Sequence, residues 1–223
     1  MTPQRPSACT DFRPLAACPP SPAPRWQAGR ARGFSLLEVL VAIFVLSFGM
    51  LGMVGMQAFA LQSNNQARMQ SSAAALAREL AEMMRGNKNE GVKPAGTNPY
   101  LGTFSAGSMV PANPSYCLNA SATSNCSSAT DVANAQMTDW LTRVGEELPG
   151  ARVAICYDNN PYDSSGLPVW TCSGTGADAV VMIKIGWTQT SLNRGNTGDS
   201  AFTLSSSSTS RPALVLPVTS GNL

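Results

Sequence analysis

One long apolar run interrupted by a single carboxylate is the feature that most constrains this chain. Residues 34–67 read FSLLEVLVAIFVLSFGMLGMVGMQAFALQSNNQA, and Glu38 is the only charged residue among them. About 20 apolar residues cross the hydrocarbon core of a bilayer. An acidic side chain at that depth costs roughly 2.5–3.5 kcal/mol on insertion scales. The sequence therefore predicts a membrane-spanning helix in which Glu38 has a functional role.

Charge is distributed unevenly on the two sides of this run. Arg25, Arg30 and Arg32 lie just before it, which predicts an N-terminus in the cytoplasm and a body on the far side of the membrane. Residues 34–223, which are 190 residues, hold ten Lys+Arg and twelve Asp+Glu, a net charge of −2. Because the body has no basic stretch, nucleic-acid binding is not expected.

A cleaved secretory signal peptide is the simplest alternative for the N-terminus. Ala58-Phe59-Ala60 fits the small-x-small rule of signal peptidase. The apolar run is, however, longer than the usual core of about 7–15 residues. A secretory core also gives no reason for Glu38. A retained helix is therefore the favoured interpretation.

The hexapeptide Gly33-Phe34-Ser35-Leu36-Leu37-Glu38 resembles the class III signal of type IV pilins and type II secretion pseudopilins. Over residues 33–87 the sequence is most similar to the PilV type of minor pilin. The resemblance implies that a prepilin peptidase cleaves between Gly33 and Phe34 and N-methylates Phe34. It also implies that Glu38, at the fifth mature position, acts in filament assembly.

The same resemblance implies a function, a location and partners. The chain would be a minor pilin that contributes to assembly or priming of a type IV pilus, and hence to twitching or adhesion. It would begin as a single-pass inner-membrane protein with a periplasmic head and later join the pilus at the cell surface. Its partners would be prepilin peptidase, other major and minor pilins, the inner-membrane assembly platform and membrane lipid. A type II secretion minor pseudopilin and a signal-anchored periplasmic binding protein or enzyme are the alternatives.

Three segments follow from this interpretation: a leader at 1–33, an N-terminal helix at 34–85 and a head at 86–223. Within the helix, 34–61 would form the membrane or filament core and 62–85 an amphipathic extension. The extension is predicted from apolar residues at 4,3,4,3 spacing, namely Met69, Ala73, Leu76, Leu80 and Met83. Arg78 and Glu82 are placed for an i,i+4 ion pair.

Three glycines interrupt the apolar run at Gly49, Gly52 and Gly55. Glycine costs about 1 kcal/mol relative to alanine inside a helix, so their presence needs a reason. Small residues allow close packing between helices in a membrane. The family resemblance implies a second role, a soft segment that unwinds inside the filament. Both roles stay open.

The predicted elements, together with what the resemblance implies, give an α+β, pilin-like fold in which the long N-terminal helix packs on a C-terminal antiparallel sheet. Residues 86–130 are rich in Gly, Asn, Pro and Ser and are expected to form a long loop. A helix is predicted over 132–148 with Asp131 as its N-cap. Strands are predicted over 152–157, 179–188 and 213–218, and a solvated loop over 203–210.

Cysteine content predicts disulfides in the head. Cys117, Cys126, Cys156 and Cys172 form an even set in an exported segment. Three pairings are open, and Cys117–Cys126 with Cys156–Cys172 is favoured because short loops close most easily. Cys9 and Cys18 belong to the leader.

Catalysis, cofactors and metals are not expected. The chain contains no histidine, which removes the usual nucleophile triad and the commonest zinc ligand. The sequence Asp158-Asn159-Asn160 with Asp163 has oxygen ligands for calcium but lacks the EF-hand spacing. A polar turn between strands is the favoured interpretation.

Overall fold

A computed structural model describes residues 33–122, 125–174, 179–191 and 202–219. The chain divides into two compact units, residues 1–51 and residues 52–223. Nearly all of the predicted leader, including Cys9 and Cys18, lies outside the described residues.

The first helix, α1, runs from Leu36–Gly86 and changes character along its length. Its outer part buries a stripe of six residues, Ala73, Leu76, Ala77, Leu80, Ala81 and Met84. All five residues of the predicted stripe pack on the core, with Met69 and Met83 only partly buried at its two ends. The prediction did not include Ala77, Ala81 and Met84, which are also buried. A straight α-helix has 3.6 residues per turn, so a strict seven-residue repeat drifts off the buried face.

Two further helices follow, α2 at Lys88–Gly91 and α3 at Ala129–Glu147. The N-cap of α3 is Ser128, whose hydroxyl accepts a hydrogen bond from the Asp131 amide at 3.1 Å. The predicted cap at Asp131 is therefore wrong by three positions. Asp131 instead accepts hydrogen bonds from the amide and hydroxyl of Ser127, which satisfies donors just before the helix.

The four-stranded sheet has the order β1-β2-β3-β6, and every pair is antiparallel. Its strands are β1 at Gly102–Ser105, β2 at Arg152–Tyr157, β3 at Val181–Gly186 and β6 at Leu214–Val218. A separate two-stranded sheet pairs β4 at Gln189–Thr190 with β5 at Phe202–Thr203. The long apolar helix and the antiparallel sheet confirm the predicted α+β, pilin-like architecture.

One face of the sheet forms the main core with α1 and α3. Across β2 and β3, Val153 is opposite Ile185 and Ile155 is opposite Ile183, and all four are buried. Alternation along a strand places such residues on one face. They join the buried stripe of α1 and the apolar side of α3 in a single cluster. Trp140 is part of this cluster and donates from Nε1 to the carbonyl of Leu76 at 2.9 Å.

The opposite face of the sheet is covered by the segment between β2 and β3. Trp170 from this segment lies against Gly186, where an added Cβ would come within 2.9 Å of the ring. The guanidinium of Arg152 lies 4.4 Å from the same ring, a cation–π contact. This face is therefore closed by loop side chains rather than by a helix.

Two predicted loops contain more order than their composition suggests. The 86–130 segment includes α2 and the edge strand β1, whose Phe104 is buried. In the 203–210 segment, Ser205 and Ser210 are buried, and the Ser210 hydroxyl donates to the Ser207 carbonyl at 2.6 Å. The Ser205 hydroxyl donates to the distant carbonyl of Gly150. The solvated-loop interpretation is therefore wrong at those two serines, because hydrogen bonds to protein carbonyls satisfy both hydroxyls.

Candidate functional site

The residues around the predicted cleavage site lie at the start of α1. Gly33, Phe34 and Ser35 precede the helix and are exposed. The carbonyl of Ser35 accepts from the Glu38 amide at 2.9 Å and from the Val39 amide at 3.3 Å, which starts the helical hydrogen-bond pattern. An added Cβ on Gly33 meets no described atom within 4 Å. No described side chain therefore crowds Gly33.

Phe34 and Glu38 border the same shallow groove, together with Ala42 and Leu46. Glu38, Ala42 and Leu46 follow one another at four-residue spacing, which puts them on one face of α1, and Phe34 borders the groove from just before the helix. Glu38 is the acidic residue of the first turn, where the helix dipole favours negative charge. An amino group created at Phe34 would thus begin the same face that carries the carboxylate.

The apolar segment, defined as residues 34–61, is exposed in the part of the chain that the structure describes. Leu36 is 84% exposed, Leu46 60% and Leu61 70%, and the most apolar 18-residue window of α1 is 0% buried. Within the described residues, α1 is the helix that is long and apolar enough to cross a membrane. Such a surface requires an apolar environment supplied from outside the chain.

The three glycines lie within this exposed part of α1. Added Cβ atoms at Gly49, Gly52 and Gly55 would meet no described atom within 4 Å. The chain's own packing therefore does not require glycine at these positions. Any need for a small or flexible residue there must come from a neighbour or from bending of the helix.

The chain matches the family model for the prokaryotic N-terminal methylation motif over residues 29–54. The chain is type IV pilin-like. The match covers the predicted cleavage site, Glu38 and most of the apolar segment. No curated protein and no solved structure matches the chain. For a pilin-like protein, the class III signal implies processing by prepilin peptidase and assembly with other pilins.

Proteins with this motif are structural rather than catalytic, and the described head is consistent with such a role. No group of three or more His, Cys, Asp or Glu side chains in the described residues could hold a metal ion. The head contains the disulfides Cys117–Cys126 and Cys156–Cys172, the two pairs that the short-loop argument favours.

The aspartates considered for calcium have other partners in the pilin-like head. Asp158 is fully buried and pairs with Lys184, which is also fully buried. Asp163 closes a turn by accepting from the amides of Ser165 at 2.9 Å and Leu167 at 3.0 Å, and it pairs with Arg211 at 2.7 Å. Both carboxylates are thus occupied by cations and amides, in agreement with the turn interpretation.

Hydrogen bonding controls the ionisation of these groups. Burial opposes the charge on Asp158, but hydrogen bonds from Lys184 and Ser173 hold its pKa below the ordinary value. The backbone hydrogen bond from Leu167, helped by Arg211, lowers the pKa of Asp163. Both groups therefore stay ionised and carry a structural charge.

Sequence reasoning missed the Lys184–Asp158 pair entirely. The Lys184 ammonium also donates to the carbonyls of Val169 at 2.8 Å and Thr171 at 2.7 Å. All three of its acceptors come from the segment between Cys156 and Cys172. The one available signal was a lysine in the middle of an otherwise apolar strand, since such a lysine must reach solvent or a partner.

A second missed contact joins the two long helices of the head. Arg143 on α3 binds both carboxylate oxygens of Glu79 on α1, at 2.7 and 2.6 Å. Hydrogen bonding to Glu79 raises the pKa of Arg143 above its ordinary value. The predicted Arg78–Glu82 pair is not formed, because Glu82 pairs with Arg85 instead.

Proposed function

We propose that this pilin-like protein is a minor pilin of a type IV pilus that contributes to pilus assembly. The observation that carries the proposal is the apolar segment, which is exposed, begins at a class III signal and contains a single carboxylate. Such a surface suits lipid before assembly and the helices of neighbouring subunits afterwards. The PilV resemblance over 33–87 supports a minor rather than a major subunit.

In this proposal the leader is 1–33, and prepilin peptidase removes it between Gly33 and Phe34 on the cytoplasmic side. Phe34 is then N-methylated. Residues 34–61 hold the subunit in the inner membrane, 62–85 extend the helix outside, and 86–223 form the periplasmic head. The arginines before the apolar segment support this orientation. The assembly platform then moves the subunit laterally into the filament and to the cell surface.

Glu38 supplies the specificity of the assembly step. Its interaction with the helix dipole is worth about 0.3–1 kcal/mol, less than the roughly 2.5–3.5 kcal/mol that a charge costs at depth. The amino group of Phe34 in a neighbouring subunit is the counter-ion we assign to it. Phe34 and Glu38 are both exposed and border one groove, which supports this pairing because both groups are accessible to a neighbouring subunit.

Gly49, Gly52 and Gly55 serve the same step, either by close packing or by local softening of the helix. Replacing all three by alanine should leave membrane insertion intact, since alanine favours the helix. Unchanged incorporation into sheared filaments would contradict the softening role, whereas close packing would survive because alanine is also small.

The test is the mass and N-terminal sequence of the mature protein. We expect it to begin with N-methylated phenylalanine at position 34. A Gly33→Leu variant should remain as the longer precursor in the inner membrane, and Gly33→Ala serves as a small-residue control. A mature chain that begins at Leu61 would instead identify a cleaved secretory signal.

A type II secretion pseudopilin would give the same mature N-terminus, so location distinguishes the two systems. Recovery of the protein in sheared pili supports the pilus assignment. Recovery only with the secretion apparatus of the inner membrane would assign it to type II secretion.

A further inference from the structure

One side of α1, here called its outer face, is left uncovered by the head. Its residues recur at 4,3,4,3,4 spacing, which puts them on one side of a helix, and all are exposed, namely Asn64, Arg68, Ser71, Ala75, Arg78 and Glu82. The buried stripe lies on the opposite side. Along α1 the outer face follows directly on the exposed apolar segment that ends at Leu61. It therefore continues the surface that a filament would use.

Arg78 gives the outer face a positive charge without a counter-ion. Its guanidinium forms no ion pair within the described residues, because the neighbouring carboxylates of Glu79 and Glu82 pair with other arginines. Arg78 lies 17 positions beyond Leu61, about 25 Å along the helix. A headgroup layer is only roughly 5–8 Å thick. A counter-ion for Arg78 would therefore be a protein carboxylate rather than a lipid phosphate.

The C-terminal end of α3 carries the complementary charge. Glu146 and Glu147 are exposed and form no ion pair in the part of the chain that the structure describes. They end a helix whose last turn contains no basic residue, although the helix dipole favours cations there. Arg68 borders the same groove but pairs with neither glutamate. The end of α3 is therefore an uncompensated negative patch that complements Arg78.

The two charged regions lie at different heights along α1. Glu146 and Glu147 share their groove with Arg68, whereas Arg78 is ten positions further along the helix, about 15 Å away. If two copies have parallel helices, Arg78 of one copy meets the glutamates of the other only after a shift of about 15 Å along the helix axis. Contact between two different surfaces with such a shift repeats without closing and builds a helical array.

We propose that the outer face of α1 at Arg78 binds the Glu146–Glu147 end of α3 in a second copy of this chain. The proposal rests on the pilus function above, which places subunits side by side with parallel helices. It adds a contact between heads to the pairing assigned to Glu38. Because the charges on both sides are exposed, salt should weaken this contact by screening.

The experiment uses two variants of the full chain in non-ionic detergent micelles. The first variant is Arg78→Glu, and the second combines Glu146→Arg with Glu147→Arg. Each variant alone sets like charges against each other at the contact. An equimolar mixture restores opposite charges, because the new glutamate of the first variant faces the new arginines of the second, and the unchanged surfaces face each other. The association constant is measured by sedimentation equilibrium in density-matched micelles at low ionic strength.

We expect each variant alone to associate at least about fivefold more weakly than the unmodified chain, because attraction between Arg78 and two carboxylates becomes repulsion. The mixture should recover the association constant of the unmodified chain and lose it in high salt. Lys88→Glu is the matched control, since it makes the same charge change at an exposed cation on α2 rather than on the outer face. The proposal is overturned if the mixture associates no more tightly than either variant alone, or if Lys88→Glu acts like Arg78→Glu.

Recovery in sheared pili separates this contact from the pilus function. If the unmodified chain does not enter pili but the mixture restores association in micelles, the pilus function fails and the contact stands. If the unmodified chain enters pili and each variant expressed alone enters equally well, the contact has no part in the filament and the proposal is overturned. The supporting result is poor entry of each variant alone and recovery when both are expressed together.

Discussion

Two parts of the same helix differ in how their apolar side chains are used. Between residues 73 and 84 of α1, apolar residues form a stripe that the head buries. Between 34 and 61, apolar residues occur all around the helix and remain exposed. A helix with an apolar stripe needs one partner, whereas a helix that is apolar on every side needs an apolar surrounding. The difference shows that one segment serves the stability of the head and the other serves an environment outside the chain.

The largest effect on stability is expected from the buried ion pair between Lys184 and Asp158. Lys184→Met should lower the free energy of unfolding by about 3–5 kcal/mol, because Asp158 would remain buried without its cation. The measurement is urea unfolding of the full chain in non-ionic detergent, followed by tryptophan fluorescence. The double variant Lys184→Met with Asp158→Asn should recover part of the loss. A single variant as stable as the unmodified chain would contradict the assigned role.

Two leucines of α1, one in each part of the helix, test this comparison directly. Leu80→Ala should cost about 2–5 kcal/mol of head stability, because Leu80 is fully buried and its truncation leaves a cavity. Leu46→Ala should change head stability by no more than about 0.5 kcal/mol, because Leu46 is 60% exposed. The same unfolding assay measures both. Equal losses would show that the apolar segment also stabilises the head.

Glu38 tests whether the exposed part of α1 serves filament assembly. We expect Glu38→Gln and Glu38→Ala to be inserted and cleaved, but to fall about tenfold in the ratio of protein in sheared filaments to protein in membranes. That loss corresponds to about 1.4 kcal/mol, the part of the charge's cost that we attribute to pairing with an ammonium. Glu38→Asp, which keeps the charge, is the control. A normal ratio for Glu38→Gln would leave Glu38 as a dipole partner only.

The smallest expected effect is the loss of head stability at low pH. Hydrogen bonds lower the folded pKa values of three aspartates, Asp131, Asp158 and Asp163. At Asp158 they do so although burial opposes ionisation. Each therefore adds stability above the unfolded aspartate pKa of about 3.9, and that stability is lost as the pH falls through the lower folded values. The urea midpoint should be steady near neutral pH and decline in acid. Asp163→Asn should make the decline shallower, and an unchanged profile would contradict its contribution.

Local patterns predicted much of this fold because the relevant interactions are local. The strand Arg152–Tyr157 follows from its β-branched sequence, and the apolar side of α3 follows from helical periodicity. The disulfide partners follow from short loop closure, since the pairs are separated by 9 and 16 residues. The N-cap of α3 could also have been predicted from the sequence, because Ser128 and Asp131 have the three-residue spacing of a capping box.

The missed features depend on partners that are distant in sequence. Strand β1 buries Phe104 by pairing with β2, about 50 positions away. Its four-residue sequence, GTFS, carries little signal of its own. Lys184 reaches Asp158 across 26 positions, and Arg143 reaches Glu79 across 64. No single stretch of sequence contains any of these sites.

The acceptors of Lys184 have a consequence for the order of events in the cell. Asp158, Val169 and Thr171 all belong to a loop that the Cys156–Cys172 bridge closes. Without the bridge this loop is less constrained, so it opens more often and uncovers the ammonium. In the proposed orientation the bridge would form only when the head reaches an oxidising compartment. We therefore expect protease to cut reduced heads within 158–171 faster than oxidised heads, and equal cleavage rates would contradict this role of the bridge.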